Sequence, residues 1–503
     1  MKAQSPQPAQ SLQHLIPSPE AVACLSESAA RRLQLVPLAI KRENGSDCLL
    51  VACADPSDQA VAEKLSREIP AGVQSILLAA EPSSISGALD KCYARSGPIN
   101  KLIHLCAQAA TANRLLQEQP DAIVRLLEYL LLSARRQRAS DIHLSPSEQS
   151  LLVRFRVDGV LRHFLSVSKA LHSGLLVRIK ILASVDIAET RRPQDGQFNL
   201  FMDADVVDFR VSCFPTLNGQ NVVLRLLEQQ RRIDTLSGLQ LAPDLHEKLS
   251  ELVQRPDGLL VVCGPTGSGK SNTLHALINE RDAVSLNIMT LEDPVERGMD
   301  GIQQSSIDAE HAMDFAQGVR GLLRQDPDVL LIGEVRDTPS CAMALRAVMS
   351  GHQLLTTVHA ASALAGLARL RELGAMPGQL AENLMAIASQ RLLRKVCSVC
   401  QQGEEHCHTC LGSGYHGRQL VMELLVVTPP IAALIAADVS SSVLLECAQQ
   451  HGFKALRQQA EQLVRRGITS DREVERVLGR EVRYQEPPMR QGGAGHAVIH
   501  AGC

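Results

Sequence analysis

The sequence predicts an α/β fold with a mostly parallel sheet, preceded by two smaller α+β units. From about residue 233, four short apolar runs alternate with segments of helical periodicity, which is the order of βαβ units. One of these runs leads directly into a glycine-rich loop and then a helix. Before residue 233, two stretches of short strand-like runs with turn signals and few helices are typical of α+β units.

The composition limits the class of protein. The length of 503 residues exceeds what one hydrophobic core organises, so we expect about three domains. No apolar run is long enough to span a bilayer, and the N-terminus lacks the apolar segment of a secretory signal, so we expect a cytoplasmic protein. The 14 cysteines should then be mostly reduced thiols. The net charge of −3 and the scarcity of aromatic residues argue against a nucleic-acid partner.

Residues 1–93 predict a small α+β domain. It carries no cluster of catalytic residue types, so an interaction module is the plainest interpretation. Its predicted strands are 37–40, 48–52 and 75–78, and its predicted helices are 59–67 and 84–93. Residues 94–121 predict a linker with helical character.

Residues 122–232 predict a second α+β domain. A helix at 122–138 opens it, because its leucines and isoleucine recur on one helical face. Asp158-Gly159 is a strong hairpin signal between two strand-like runs, and a further turn is predicted at 191–196. The predicted strands are 141–144, 151–157, 160–164, 207–212 and 222–227, and a second helix is predicted at 171–185.

The P-loop motif G-x-x-x-x-G-K-[ST] lies between the apolar run 259–263 and a helical segment. Glycines let consecutive backbone N–H groups face a polyphosphate, and the following helix N-terminus adds further donors. Lys270 can reach the β- and γ-phosphates, and the Ser271 hydroxyl can bind Mg²⁺. A chance glycine-rich turn is the alternative, and the flanking strand and helix argue against it. The predicted nucleotide-binding residues are Gly264, Pro265, Thr266, Gly267, Ser268, Gly269, Lys270, Ser271 and Asn272.

Acidic residues follow two further strands of this predicted domain. Glu334 follows a buried strand as in a Walker B arrangement, where it could orient an attacking water or hold Mg²⁺ through water. Glu292, Asp293 and Glu296 follow another strand and could bind hydrated Mg²⁺. A surface glutamate at 334 and a solvated acidic turn at 296 are the alternatives. The predicted domain is 233–396, with strands at 259–263, 286–290, 329–332 and 354–358.

Histidines and arginines supply further candidates. His359 ends the last of these strands, where it could hydrogen-bond a γ-phosphate, and His352 precedes that strand, where a structural role is the equal alternative. Guanidinium groups suit phosphate oxygens because they bind bidentately and stay charged. Spacing alone gives little support for phosphate binding by any single one of the recurring arginines. These are Arg210, Arg225, Arg320, Arg324, Arg336 and Arg369.

Four cysteines have the spacing C-x₂-C-x₆-C-x₂-C, and they are Cys397, Cys400, Cys407 and Cys410. Two such pairs of thiolates predict a structural Zn²⁺ site, in a module at 397–417. His406 and His408 are alternative ligands, and a pair of redox dithiols is the weaker interpretation. A helical C-terminal region at 418–480 and a disordered tail at 481–503 are predicted to follow.

Together these motifs resemble the secretion ATPases of type II secretion systems and type IV pilus assembly. The resemblance runs from about residue 37 to 479. The acids at 292–296, the Walker B region at 323–337 and the histidines at 351–359 resemble three boxes of the family's motor domain, and the cysteines resemble its tetracysteine module. Further matching blocks are 50–56, 139–143, 154–159 and 186–196.

The resemblance implies a homo-hexameric motor in which a RecA-like ATPase domain follows a PAS-like domain. It implies ATP as the nucleotide, with Mg²⁺, and Arg210 and Arg225 of the PAS-like domain approaching that ATP. The N-terminal domain would dock onto an inner-membrane partner, which gives the motor a peripheral place at the membrane. The tetracysteine module and the extra N-terminal domain favour assembly or secretion over pilus retraction.

The resemblance also assigns roles within the motor domain. Lys270 would neutralise phosphate charge and Ser271 would bind Mg²⁺. Glu334 would position the attacking water, with Glu292 and Asp293 shaping the metal shell.

The sequence departs from the family's usual pattern at several places. Asn272 stands in what is usually a threonine run, Gln220 where a glutamate is usual, and Gln317 where a basic residue is frequent. If the two glutamines weaken an interface, the chain is a nucleotide-gated scaffold with little hydrolysis. A DNA-translocating relative is a third interpretation, which the near-neutral charge disfavours. The choice between pilus assembly and protein secretion stays open.

Overall fold

The computed structural model describes residues 21–22, 24–43, 46–70, 73–82, 84–85, 88–89, 120–202, 205–227, 235–295, 297–307, 314–402, 407 and 409–480. Most of the predicted linker, the predicted tail, and Glu296, His406 and His408 lie outside these residues. The chain divides into two compact units, 1–232 and 233–503, and this division falls where the strand–helix alternation begins. Among the described residues, no helix is both long and apolar enough to cross a membrane.

The first unit begins with a three-stranded sheet of order β1-β2-β3, in which β1 and β2 are antiparallel and β2 and β3 are parallel. Asp58 begins helix α2 because its carboxylate accepts hydrogen bonds from the backbone of Ala60 and Val61. Leu49, Val51 and Leu65 are fully buried in the core between the sheet and its helices. The elements are α1 (Glu27–Leu33), β1 (Val36–Glu43), β2 (Ser46–Cys53), α2 (Gln59–Glu68) and β3 (Gln74–Ala79).

A six-stranded antiparallel sheet of order β6-β5-β4-β9-β8-β7 follows in the same unit. Asp158 and Gly159 both have positive φ, 49° and 83°, which is the geometry of the tight hairpin turn predicted there. Alternate residues of β5 are buried against two helices. The elements are α3 (Pro120–Arg136), β4 (Ala139–Pro146), β5 (Ser150–Val157), β6 (Val160–Ser168), α4 (Ala170–Leu182), β7 (Gln194–Met202), β8 (Asp205–Thr216) and β9 (Gly219–Leu227).

The second unit is built on a seven-stranded sheet of order β12-β11-β13-β14-β10-β15-β16, parallel throughout except for β16. Both faces of the sheet are buried, because alternate residues of its central strands enter two separate apolar clusters. The first elements are α5 (Pro243–Val253), β10 (Gly258–Cys263), α6 (Lys270–Ile278), β11 (Ile288–Glu292), β12 (Gln303–Ser306), α7 (Phe315–Leu322), β13 (Val329–Ile332), α8 (Thr338–Met349) and β14 (Gln353–Val358).

The remaining elements follow β14 along the chain. They are α9 (Ala363–Glu372), α10 (Pro377–Asn383), β15 (Leu384–Val396), β16 (Tyr415–Val426), α11 (Pro429–Ala436), α12 (Ser441–Gln450), α13 (Leu456–Arg465) and α14 (Asp471–Leu478).

Three sequence expectations differ from the structure. The region at 418–480 was expected to be helical throughout, yet its first residues belong to strand β16, which pairs with β15. Neither β15 nor β7 was expected, and part of β7 coincides with the turn expected at 191–196. These strands are defined by pairing with partners distant in sequence, which overrides the local propensity of their residues.

Candidate functional site

The glycine-rich loop joins the fully buried strand β10 to helix α6. Gly264 has φ 153°, and a Cβ there would lie 2.6 Å from Ser268 Oγ and 2.8 Å from the Gln390 carbonyl oxygen. Gly269 caps α6 in the left-handed conformation, with φ 88°. Both positions therefore need glycine, one for space and one for backbone conformation. The loop tip, Pro265 to Gly267, is exposed, so a phosphate chain can approach the backbone.

Lys270 is half-buried and folds back over the loop. Its Nζ donates to the carbonyl oxygens of Gly264, at 3.0 Å, and Pro265, at 3.3 Å. Burial lowers the pKa of this amine, and the nearby carboxylate of Glu334 opposes the shift only in part. The Ser271 hydroxyl is exposed and makes no hydrogen bond with any described residue. The amine and the hydroxyl are therefore placed as P-loop ligands of phosphate and Mg²⁺.

The acid predicted to position water lies at the carboxyl end of β13, beside the loop. One oxygen of Glu334 pairs with His359 Nε2 at 3.1 Å, and the other pairs with Arg336 Nε at 2.9 Å. Arg336 also reaches Asp293 Oδ2 at 3.3 Å. The structure thus brings together Glu334, Asp293, His359 and Lys270, four residues that the sequence selected from separate motifs.

Glu292 is buried deeper, at 6% exposure. One of its oxygens accepts from Thr290 Oγ1 at 2.7 Å and Gln304 Nε2 at 3.1 Å, and the other pairs with His275 Nε2 at 3.1 Å. Burial acts to raise the pKa of Glu292, but the hydrogen bonds from His275, Thr290 and Gln304 outweigh it and lower the pKa. A fixed, ionised carboxylate therefore lies directly before Asp293.

The four cysteines lie between β15 and β16, and their sulfur atoms all lie within 4.8 Å of one another. Cys397 Sγ is 3.8 Å from Cys407 Sγ, and Cys400 Sγ is 3.5 Å from Cys410 Sγ. A tetrahedral Zn²⁺ with Zn–S bonds of about 2.3 Å separates its sulfurs by roughly 3.8 Å, so these thiols fit the ion. A backbone hydrogen bond from Cys410 lowers the pKa of the Cys407 thiol to about 7, whereas burial raises the pKa of the neighbouring Cys410 thiol to about 11.

Two family models match the chain. Residues 116–476 match the type II/IV secretion system protein family, and residues 7–99 match the MshEN domain. The chain belongs to the type II/IV secretion system protein family. The type II secretion system protein HxcR of Pseudomonas aeruginosa is 36% identical over 446 residues, which cover 85% of this chain and 94% of that protein. The type II secretion system protein E of Klebsiella pneumoniae is 40% identical over 400 residues, or 75% of this chain and 80% of that protein.

Solved structures support the same family assignment. The pilus retraction motor PilT with bound ADP is 26% identical, with a TM-score of 0.51, over 69% of this chain and 95% of that one. The ATPase DotB of Legionella pneumophila, 20% identical with a TM-score of 0.55 over 69% of this chain and 94% of that one, shares the fold. The predicted fold class is confirmed, with a RecA-like P-loop domain after a PAS-like domain, and this member of the secretion family is an ATPase.

The remaining histidine and arginine candidates of the motor domain lie away from the carboxylates near the loop. His352 Nδ1 donates to the Ala347 carbonyl oxygen at 2.8 Å at the end of α8, which is a structural role. Arg320 and Arg324 are exposed on and after α7, and Arg369 pairs with Glu372 at 3.0 Å. None of these four residues contacts the carboxylates near the loop among the described parts of the chain.

Arg210 and Arg225 belong to the first unit, where they face each other across β8 and β9. Asp141 is the partner of Arg225 across β4 and β9, and its Oδ1 accepts from Arg225 Nε at 2.9 Å. These side chains line an open cavity of about 600 Å³ on the PAS-like sheet. Among the described residues, Arg210 has no ion-pair partner.

Sequence reasoning did not select His275, Gln304 or Gln390. Gln390 is fully buried in β15 and its Nε2 donates to the Ser268 carbonyl oxygen of the P-loop at 2.8 Å. All three residues are polar side chains within otherwise apolar or unassigned segments, and only their three-dimensional contacts connect them to the site. His275, a polar residue within the apolar second half of helix α6, is the one signal that the sequence offered.

Proposed function

We propose that this chain is an ATP-hydrolysing, homo-hexameric motor at the cytoplasmic face of the inner membrane, powering type II protein secretion or type IV pilus assembly. The names of the P. aeruginosa and K. pneumoniae relatives favour type II secretion. The observation that carries the proposal is the convergence of Lys270, Glu334 and Asp293 at one end of the parallel sheet. Ligands of open α/β sheets bind at that end.

The roles follow from the positions of the side chains. Lys270 would exchange its bonds to the loop carbonyls for phosphate oxygens, and Ser271 would hold the Mg²⁺ of the substrate. Glu334 would orient the attacking water, because its carboxylate is at the solvent edge and its two partners are themselves exposed. His359 would donate toward the γ-phosphate, and Glu292 with Asp293 would shape the water shell of the metal. Mg²⁺ neutralises charge on the phosphates.

The arginine pair of the first unit supports coupling between domains. Arg210 and Arg225 present two positive charges to a cavity that Asp141 and Asp195 also line, and their guanidinium groups suit an anion such as a triphosphate. If they reach ATP held by a P-loop, occupancy of that loop sets the position of the domain that carries them. Hydrolysis would then release the contact and move the domain.

Partners are part of the same proposal. The N-terminal domain would bind an inner-membrane docking or platform protein, and no nucleic acid is expected as a substrate.

The decisive experiment measures phosphate release from MgATP by the purified full chain. Lys270→Ala should reduce turnover at least hundredfold, because the phosphate charge loses its cationic ligand. Glu382→Gln, an exposed glutamate on α10, is the matched control and should leave turnover unchanged. Normal turnover by Lys270→Ala would contradict the assignment. A chain that binds ATP and does not hydrolyse it would be the nucleotide-gated scaffold instead.

We also propose that the four cysteines hold a structural Zn²⁺ ion. Cys400→Ser should abolish stoichiometric zinc, measured by metal analysis of the purified chain, and should lower the melting temperature. Cys447→Ser changes a cysteine outside the cluster and is the control. A Cys400→Ser chain with full zinc content would contradict the proposal.

A further inference from the structure

Helix α6 carries a buried imidazole one turn beyond the residue proposed to bind Mg²⁺. His275 follows Ser271 by four positions, so the two side chains lie on the same side of the helix. His275 is only 3% exposed, and its neighbours Leu274, Ala276 and Leu277 belong to an apolar core cluster. A polar side chain in such a position is unfavourable unless it is hydrogen-bonded.

The partner of this imidazole lies on another element. His275 Nε2 is 3.1 Å from Glu292 Oε2, at the end of β11. The other contacts of Glu292 come from β11 itself and from β12, through Thr290 and Gln304. Among the described residues, His275 is thus the connection between the Glu292 carboxylate and the helix that follows the P-loop.

This connection continues to the acid that is proposed to position water. Glu292 is followed in the chain by Asp293, whose carboxylate pairs with Arg336 at 3.3 Å, and Arg336 pairs with Glu334 at 2.9 Å. The P-loop helix and the two acidic strand ends are therefore linked by these polar contacts together with the peptide bond between Glu292 and Asp293. A shift of the helix relative to β11 would break this link at the hydrogen bond between His275 and Glu292.

We propose that His275 is a positioning residue, which holds the P-loop helix at a fixed distance from the acids at 292 and 293. This distance sets where a nucleotide bound at Lys270 and Ser271 lies relative to the Glu334 carboxylate. This inference rests on the proposed ATPase function and extends it to a residue that contacts neither nucleotide nor metal. Its loss should impair the chemical step more than the binding of ATP, because the loop and Lys270 stay intact.

The test compares two substitutions in the full chain. His275→Leu removes the hydrogen bond while keeping a buried side chain of similar size, and His275→Gln keeps an amide donor that can reach Glu292. Steady-state hydrolysis gives kcat and KM for MgATP, and thermal melting reports folding. We expect His275→Leu to lower kcat roughly ten- to hundredfold with KM changed less than about threefold, as for residues that orient ligands indirectly. His275→Gln should restore most of kcat.

A double substitution and a control complete the design. His275→Leu combined with Glu292→Leu should be about as slow as Glu292→Leu alone, because Glu292→Leu already removes the acceptor of that contact. His246→Leu removes another hydrogen-bonded imidazole of this unit, whose Nε2 lies 3.2 Å from Ser237 Oγ, and should leave kcat unchanged.

The outcomes separate this inference from the function on which it rests. A His275→Leu chain with unchanged kcat would overturn the inference alone. So would a His275→Gln chain that is as slow as His275→Leu at an equal melting temperature. Absence of hydrolysis by the unsubstituted chain would overturn the proposed function, and the positioning role with it.

Discussion

Two glutamates of the second unit each lie between two basic side chains, in opposite surroundings. Glu473 is completely buried and accepts two side-chain hydrogen bonds from each of Arg394 and Arg476, at 2.6–2.9 Å. Glu334 is 16% exposed and makes one contact with each of Arg336 and His359.

The two sites differ in how fully the hydrogen-bonding capacity of each carboxylate is used. Burial acts to raise the pKa of Glu473, but the hydrogen bonds from Arg476 and Arg394 outweigh it and lower the pKa to about 2. That carboxylate therefore joins α14 to β15 and has no capacity for another ligand. The partners of Glu334 are 56% and 50% exposed, so they can exchange its oxygens for a water or a phosphate group. A carboxylate whose acceptor positions are all occupied stabilises the fold, whereas a carboxylate whose partners can be displaced can bind water or phosphate.

The largest effect that this comparison predicts is on catalysis. Glu334→Gln should reduce ATP hydrolysis by about 10²–10⁴, the range for loss of an acid–base group, because an amide cannot accept the proton of water. Its melting temperature and its affinity for MgATP should stay near those of the unsubstituted chain. A Glu334→Gln chain that melts much earlier would show that the two glutamates have the same structural role.

The second prediction concerns stability. Glu473→Gln should lower the free energy of unfolding by roughly 3–5 kcal/mol, because it leaves Arg394 and Arg476 without their counter-charge. Unfolding of the unsubstituted chain and of Glu473→Gln by guanidinium chloride at neutral pH measures this difference in free energy. An equal exchange at an exposed pair, Glu475→Gln, should have little effect, since that glutamate is 47% exposed and its partner Arg480 is 85% exposed.

The same prediction has a pH dependence with a defined sign. The folded-state pKa of Glu473 is about 2, below the ordinary value of 4.5, so its stabilising effect is fully present above pH 4.5. That effect is lost as the pH falls from 4.5 toward 2. The stability difference between the unsubstituted chain and Glu473→Gln should therefore shrink over this window. A difference that stays constant down to pH 3 would contradict it.

The smallest effect is expected at Asp141, which combines features of both glutamates. Its carboxylate is buried like that of Glu473, but its partners Arg225, at 2.9 Å, and Arg156, at 3.5 Å, are 59% and 37% exposed. Asp141→Asn should slow hydrolysis by the full chain roughly two- to fivefold, or about 0.4–1 kcal/mol, because Arg225 is less well oriented. Asp195→Asn, on the same cavity, is the control. Loss of all activity would assign Asp141 a larger role than orientation.

The sequence predicted the parts of the site that are encoded locally. The P-loop from Gly264 to Ser271 and the acid at 334 each follow an apolar strand, and such a run determines both the strand and the sheet edge at which it ends. The strand expected at 286–290 lies at Ile288–Glu292, a shift of two residues that makes Glu292 its last member.

The parts that were missed depend on contacts between distant segments. β15 is a leucine-rich run whose strand conformation comes from pairing with β10 and β16. Gln390 and His275 gain their positions near the loop from that pairing and from the approach of α6 to β11. No local spacing distinguishes a buried histidine that holds an acid from one that only fills a core.

The register of β15 and β16 has a further consequence for how this chain tolerates change. Val396 pairs with Tyr415, and the Cys397 amide donates to the Gly414 carbonyl oxygen at 2.9 Å, so the cysteine module enters and leaves the sheet at adjacent points. Arg394, stacked 4.1 Å above the Tyr415 ring, strengthens that junction from the sheet side. We therefore expect that the segment between Cys400 and Cys407 can change in length without altering the strands below, as long as the four cysteines are kept.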